Sequence, residues 1–210
     1  MSIAPLEFTS PVLVLDPATC GRMIANRRES LAYRKDEVWE GIYHMSPDPT
    51  NEHQRLVNEF GFVFNLIVKP LGGQVMPGGN ITDREVDWTF NFRCPDVTVM
   101  LPGCKVKDIE SALVGGPDFL VEVLSPYDKS REKLDFYAQL GVREVLFVDP
   151  KQRELELFAL AGDTLPSRGV ASAQNGAELH SGVLPRCFSV NAEQEFVIRR
   201  TDATAGEWLI

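Results

Sequence analysis

FLVEVLSP, residues 119–126, sets one carboxylate inside an otherwise apolar run. Phe119, Leu120, Val121, Val123 and Leu124 make the short, β-rich kind of segment that is buried on both faces in the middle of a sheet, and Pro126 ends it. Glu122 is the anomaly. An ionised carboxylate in such surroundings is costly unless a cation, a metal or a proton compensates it. The residues alone leave two readings open: a functional acid, or a carboxylate held in a structural ion pair or at a solvated strand end.

Working outward, Ser130 to Leu140 reads as a short helix closed by Gly141, and Lys133 and Tyr137, four apart, share one of its faces. VREVLFV (142–148) predicts another strand, and the alternation of Glu154-Leu155-Glu156-Leu157 suits a half-exposed strand at a sheet edge. Upstream, PDVTVM (95–100) puts Asp96 at the start of a second buried strand. VWEGIYHM (38–45) has strand composition, with Trp39, Tyr43 and Met45 on one side, Glu40, Ile42 and His44 on the other, and Gly41 marking a bulge or hairpin. Asn51 and Gln54 form a capping-box signal for a helix whose stripe of Leu56, Phe60, Val63, Phe64 and Ile67 runs down to Lys69-Pro70. His53, in its first turn, is either a surface or capping residue or a site candidate. Asp16-Pro17 opens a helix to about Leu31 with Arg27 and Arg28 facing water. Residues 1–15 read as an extended arm, 16–160 as the main α/β domain, and 161–210 as loop and short elements packed on that domain, with a mobile loop over 162–179.

The chain has 210 residues, a formal charge of −9 and a pI near 4.9. That size fits a single domain, and the charge argues against a broad electrostatic footprint for nucleic acid. A local basic strip or a bound metal can offset it. Cys20, Cys94, Cys104 and Cys187 are scattered without a C-x-x-C pair, so they read as reduced thiols. No basic leader and no long apolar run is present, and a cytoplasmic location with no membrane span is the expectation.

Asp96 and Glu122 on neighbouring strands repel each other unless they share a divalent cation such as magnesium. An ammonium on the next helix, that of Lys133, can orient or help deprotonate a water for attack on phosphorus. RCPDVTVM (93–100), FLVEVLSP, DKSREKLDFYAQLGVREVLFVDP (128–150) and ELELF (154–158) resemble the PD-(D/E)XK nuclease superfamily, and within it the restriction-endonuclease-like Uma-two family. WEGIYHMSP (39–47) and His53 resemble that family's N-terminal half. The resemblance implies an α/β fold with a central mixed sheet flanked by helices, the sheet expected to contain the strands near 38–45, 96–100, 119–124, 143–148 and 154–159, and a DNA endonuclease using Mg2+ or Mn2+. It implies Asp96 and Glu122 as metal ligands, Lys133 as the basic residue with Lys129 as the competing candidate, and Glu40 and His53 as assisting groups. One departure is plain: the superfamily's lysine stands two residues after the acid, where this chain has Leu124. The arm and the 154–159 strand suggest a homodimer. The competing reading is a non-catalytic module that keeps the nuclease fold and binds protein partners.

Overall fold

The computed structural model describes residues 14–125, 129–201 and 206–210. Most of the expected N-terminal arm, and Pro126 after the central strand, lie outside the described residues. The central sheet has six strands in the order β12-β11-β10-β9-β6-β3. These are β3 (Gln74–Pro77), β6 (Val97–Met100), β9 (Phe119–Val123), β10 (Glu144–Asp149), β11 (Glu154–Ala159) and β12 (Ser167–Ser172). β9 runs parallel to β10 and antiparallel to β6, so the sheet is mixed and FLVEV lies in its interior with every residue buried.

The two faces of β9 bury different things. Phe119, Val121 and Val123 pack with helix α2 (Asn51–Val68), whose buried face includes Leu56, Phe60, Phe64 and Ile67. Thr50, not Asn51, caps that helix, its hydroxyl accepting the His53 amide at 3.1 Å. Leu120 faces the other way, into a core shared with Phe147 of β10 and with Phe136 and Tyr137 of helix α3 (Leu134–Leu140). A 3-10 turn (Ser130–Lys133) leads into α3, and Gly141, at φ 82°, closes it. The alternation of β9 therefore turns Glu122 toward α3, not α2.

Two expectations about the sheet need correction. The strand near 38–45 is not in it: β1 (Glu37–Trp39) and β2 (Ile42–His44) form a hairpin in a second sheet with β4 (Ile81–Thr82), β5 (Phe92–Arg93), β7 (Lys107–Asp108) and β8 (Leu113–Val114). Its two-residue turn is Glu40-Gly41, with φ 47° and 82°, the pair of positive angles that a tight hairpin uses. Because the chain reverses there, Trp39 and His44 stack at 4.1 Å on one side, against the simple alternation. The second correction is that 154–159 is no edge, since β12 pairs along it. The Gly, Ala and Ser of 167–172 have weak strand preference, but backbone pairing with β11 and burial of Ala171 and Ser172 override it.

Helix α1 (Pro17–Glu29) starts as expected, with the Asp16 carboxylate accepting the Thr19 amide at 2.7 Å. Arg27 does not face water: it grips the buried Asp36 and the Ser46 carbonyl. A four-stranded meander, β13 (Leu179–His180), β14 (Arg186–Val190), β15 (Phe196–Arg200) and β16 (Glu207–Leu209), covers α2 from the far side. Phe188 and Phe196 reach the same core, and Phe188 touches both Phe64 and Phe119. No described helix is long and apolar enough to cross a membrane.

That contact makes the C-terminal meander part of the core. Phe188→Ala is expected to cost about 3–5 kcal/mol and to shift one cooperative urea transition of the whole chain. A separate transition for the meander, with the rest unmoved, would show that residues 161–210 are an independent unit.

Candidate active site

Asp96 sits one residue before β6, and continuing the register Val97↔Val121 by one residue brings it level with Glu122. Its Oδ2 accepts the amide of Val123 at 2.9 Å, which locks it to the central strand. Oδ2 also lies 3.3 Å from His53 Nε2, and Oδ1 lies 3.2 Å from Lys35 Nζ. Lys35 ends the 3-10 turn Ala32–Lys35 that follows α1.

Glu122 is only 3% exposed. Its Oε1 accepts the Tyr137 hydroxyl, and Lys133 Nζ stands 3.2 Å from Oε1 and 3.4 Å from Oε2. The four-residue spacing that puts Lys133 and Tyr137 on one helical face is what brings both to this carboxylate. Lys129 instead pairs with Glu132 at 3.8 Å and lies over the Trp39 ring. Lys133 also bonds Glu37 Oε1 at 2.9 Å, so one ammonium bridges two buried acids. Glu37 also accepts the Cys94 amide at 2.9 Å and the Trp39 indole N–H at 2.7 Å.

Four of the five expected site residues, Asp96, Glu122, Lys133 and His53, thus come together. Glu40 does not join them. It occupies the hairpin turn with its side chain 66% exposed, 3.8 Å from Arg84 and bonded to Asn91. Glu37 is the buried acid of that hairpin, and with Lys35 it was missed. A hollow of about 510 Å³ beside the turn, lined by Arg84, Asp87 and Phe90 among others, holds none of these acids.

The carboxylates of Asp96 and Glu122 are pushed in opposite directions. Burial raises Glu122 to about 7, assisted by the charges of Asp96 and Glu37 and opposed by Lys133. Burial acts the same way on Asp96, but the His53 hydrogen bond, then Lys35 and the Val123 amide, hold it below the usual carboxylate value. Tyr137 is raised well above an ordinary phenol by burial and by Glu122, so it stays a donor. Lys35 is raised despite burial, because Asp96 is beside it.

The donor set suits a hard divalent cation. The Asp96 carboxylate, at the start of β6, and that of Glu122, in β9, are near enough for the charge of one to act on the other, and the one ammonium bonded to Glu122 among the described residues is shared with Glu37. Among the described residues no three His, Cys, Asp or Glu side chains cluster tightly enough to cage an ion. Magnesium is commonly held by one or two carboxylates and keeps several waters, so a pair is sufficient.

The Uma2 family, described as "Putative restriction endonuclease", matches residues 22–192. The chain belongs to this family. Four solved chains match it significantly. One, described as a "putative nuclease belonging to DUF820 from Anabaena variabilis ATCC 29413", has 19% identity and a TM-score of 0.56, over 70% of this chain and 80% of that chain. At that identity the likeness speaks for the fold, which is restriction-endonuclease-like. No curated protein matches the chain significantly.

The raised Glu122 has a consequence for stability. Its proton is held more tightly in the folded state than in the unfolded one, so its contribution is complete below the ordinary value of 4.5 and is lost as pH rises through about 7. In chelator, melting of the wild type should fall relative to Glu122→Gln between about pH 5 and pH 8. His44, whose pKa is lowered by burial, tilts both proteins equally and cancels in the difference. Parallel melting curves for the two proteins would contradict the assignment.

Proposed function

We propose that this chain is a divalent-metal-dependent endonuclease that hydrolyses phosphodiester bonds in DNA. The observation that carries the reading is the meeting of Asp96, Glu122 and Lys133, from three separate elements, around one buried group. Membership of a family described as "Putative restriction endonuclease" supports it.

In this reading Asp96 and Glu122 hold magnesium or manganese, which when bound offsets charge developing on the phosphoryl oxygens. The Val123 amide and His53 fix the Asp96 carboxylate, while Tyr137 fixes Glu122. Lys133 orients the attacking water, and its ammonium lies between Glu37 and Glu122, which keep it charged and in place. His53 directs Nε2 at Asp96, and its Nδ1 is buried with no hydrogen-bond partner among the described residues. We assign Glu40 no step, since Arg84 and Asn91 already engage it outside this group.

Purified protein with magnesium or manganese should cut plasmid or linear DNA. Asp96→Asn and Glu122→Gln, which keep shape and remove charge, should each lower the rate by about a hundredfold or more, the scale of losing a principal electrostatic group. Lys133→Ala should also slow cleavage, and Lys129→Ala should not. Cleavage that persists unchanged in both acid variants would belong to a contaminant and end the assignment.

The proposal extends to a cytoplasmic homodimer, because two sites suit the cutting of both strands of a duplex. Among the described residues the outer strands of the central sheet are β12 and β3, and they replace 154–159 as the pairing surfaces in this reading. Light scattering should give twice the chain mass, and a monomer at every accessible concentration would remove this part.

A further inference from the structure

The segment from α1 through Lys35 is electrically unlike the rest of the protein. Residues 17–35 carry five cations and one acid, in a chain whose formal charge is −9. Two of the five are committed: Arg27 to Asp36, and Lys35 to Asp96. Arg22, Arg28 and Arg34 are exposed, and no described carboxylate pairs with them. Among the described residues Arg22 has only the Thr19 hydroxyl, at 2.8 Å. Several exposed arginines elsewhere are engaged, Arg55 by Glu59, Arg131 by Glu156 and Arg143 by Asp118, while among the described residues Arg168 stands alone, far along the chain from this segment.

Helix α1 also lacks the usual reason for existing, because none of its residues is buried. A helix polar all round gains little from packing. Its attachment is the Arg27 clamp on Asp36 and Ser46, and Asp36 stands between Lys35 and Glu37, both members of the buried group. Arg34 lies at the same rim, its carbonyl accepting the thiol of Cys94, whose amide bonds Glu37. Arg34 therefore stands beside the acid cluster through its backbone, and Arg28 and Arg22 lie on the helix just before it, on different faces. Guanidinium forks match phosphate oxygens, and contacts of that kind carry position and affinity but no base sequence.

We propose that α1 and the turn after it form the strip that takes the phosphate backbone of duplex DNA, without regard to sequence, and lays it beside Asp96 and Glu122. The proposal rests on the nuclease reading for its choice of ligand.

The test is anisotropy of short fluorescent duplexes of unrelated sequence, with the full chain in chelator so that nothing is cut. Between about 50 and 200 mM salt, Arg22→Gln/Arg28→Gln/Arg34→Gln should lose about two to three from the slope of log affinity on log salt, near 0.9 per phosphate contact. Binding at the middle of that range should weaken by about tenfold or more. The triple Arg→Lys protein should keep most of the binding, which excludes a folding defect as the cause. A control of equal charge change at exposed sites elsewhere, Lys105→Gln/Lys151→Gln/Arg168→Gln, should bind as the wild type does.

Undiminished binding by the glutamine protein, equal weakening in the control, or a wild type that does not bind duplex DNA overturns the strip. The two readings fail separately. Acid-dependent cleavage with unchanged binding in the glutamine protein removes the strip and leaves the nuclease. Strip-dependent binding without any cleavage does the reverse.

Discussion

The structure depends on how the carboxylate of Glu122 is tolerated in the middle of its main sheet. Every residue of β9 is buried, and a charge there needs partners that the strand itself cannot supply. They come from α3, which reaches Glu122 with Tyr137 and Lys133. Lys133 in turn draws in Glu37 from the β1–β2 hairpin, and Glu37 bonds the Cys94 amide at the start of the Asp96 segment. One buried acid thus fixes the seating of a helix, a hairpin and a neighbouring strand. Removing a single partner leaves an uncompensated charge, so the group behaves as a unit.

The unit is not symmetric, and the asymmetry has chemical content. Asp96 has a backbone donor, a histidine and an ammonium around it and stays ionised, while Glu122 shares its one ammonium with Glu37 and holds a proton up to about 7. A cation that requires both carboxylates ionised therefore displaces a proton mainly from Glu122, which couples affinity to pH across the neutral range. Lys35 and Lys133 supply the counter-charge that keeps the acids together when no such cation is bound.

Much of this was legible in the chain because it was written in spacing. An acid inside a β-branched run, a second acid opening another such run, and a lysine four before a tyrosine on a following helix each have a fixed geometric meaning. Glu37 and Lys35 lacked that. They belong to Lys35-Asp36-Glu37, a run of three charges that reads as a solvated link, and all three are drawn in by tertiary contacts: with Asp96, with Arg27, and with Lys133. A weak signal existed, since Glu37 is two residues from Trp39 and so shares its face in a strand. Glu40 drew attention instead, but a tight turn had first claim on it, and the positive φ that the hairpin needs carries its side chain outward. The β12 strand was hidden for a different reason: its small residues state no preference, and only the partner strand defines them.

Net charge is the feature that says least about the site. The value of −9 sums over a surface, whereas a polyanion meets only the part it touches, and within a Debye length of about 8–10 Å the local groups dominate. The acids nearest the candidate centre are buried and already opposed by Lys35 and Lys133, so they contribute little repulsion outward. Of the exposed arginines of this segment, Arg34 is joined to the group through its carbonyl and Cys94, and Arg28 and Arg22 precede it on α1, about 9 Å apart along the helix by its rise per residue. An acidic protein can present such a face because folding separates the charges that composition averages, sequestering some acids in ion pairs while leaving selected arginines without one.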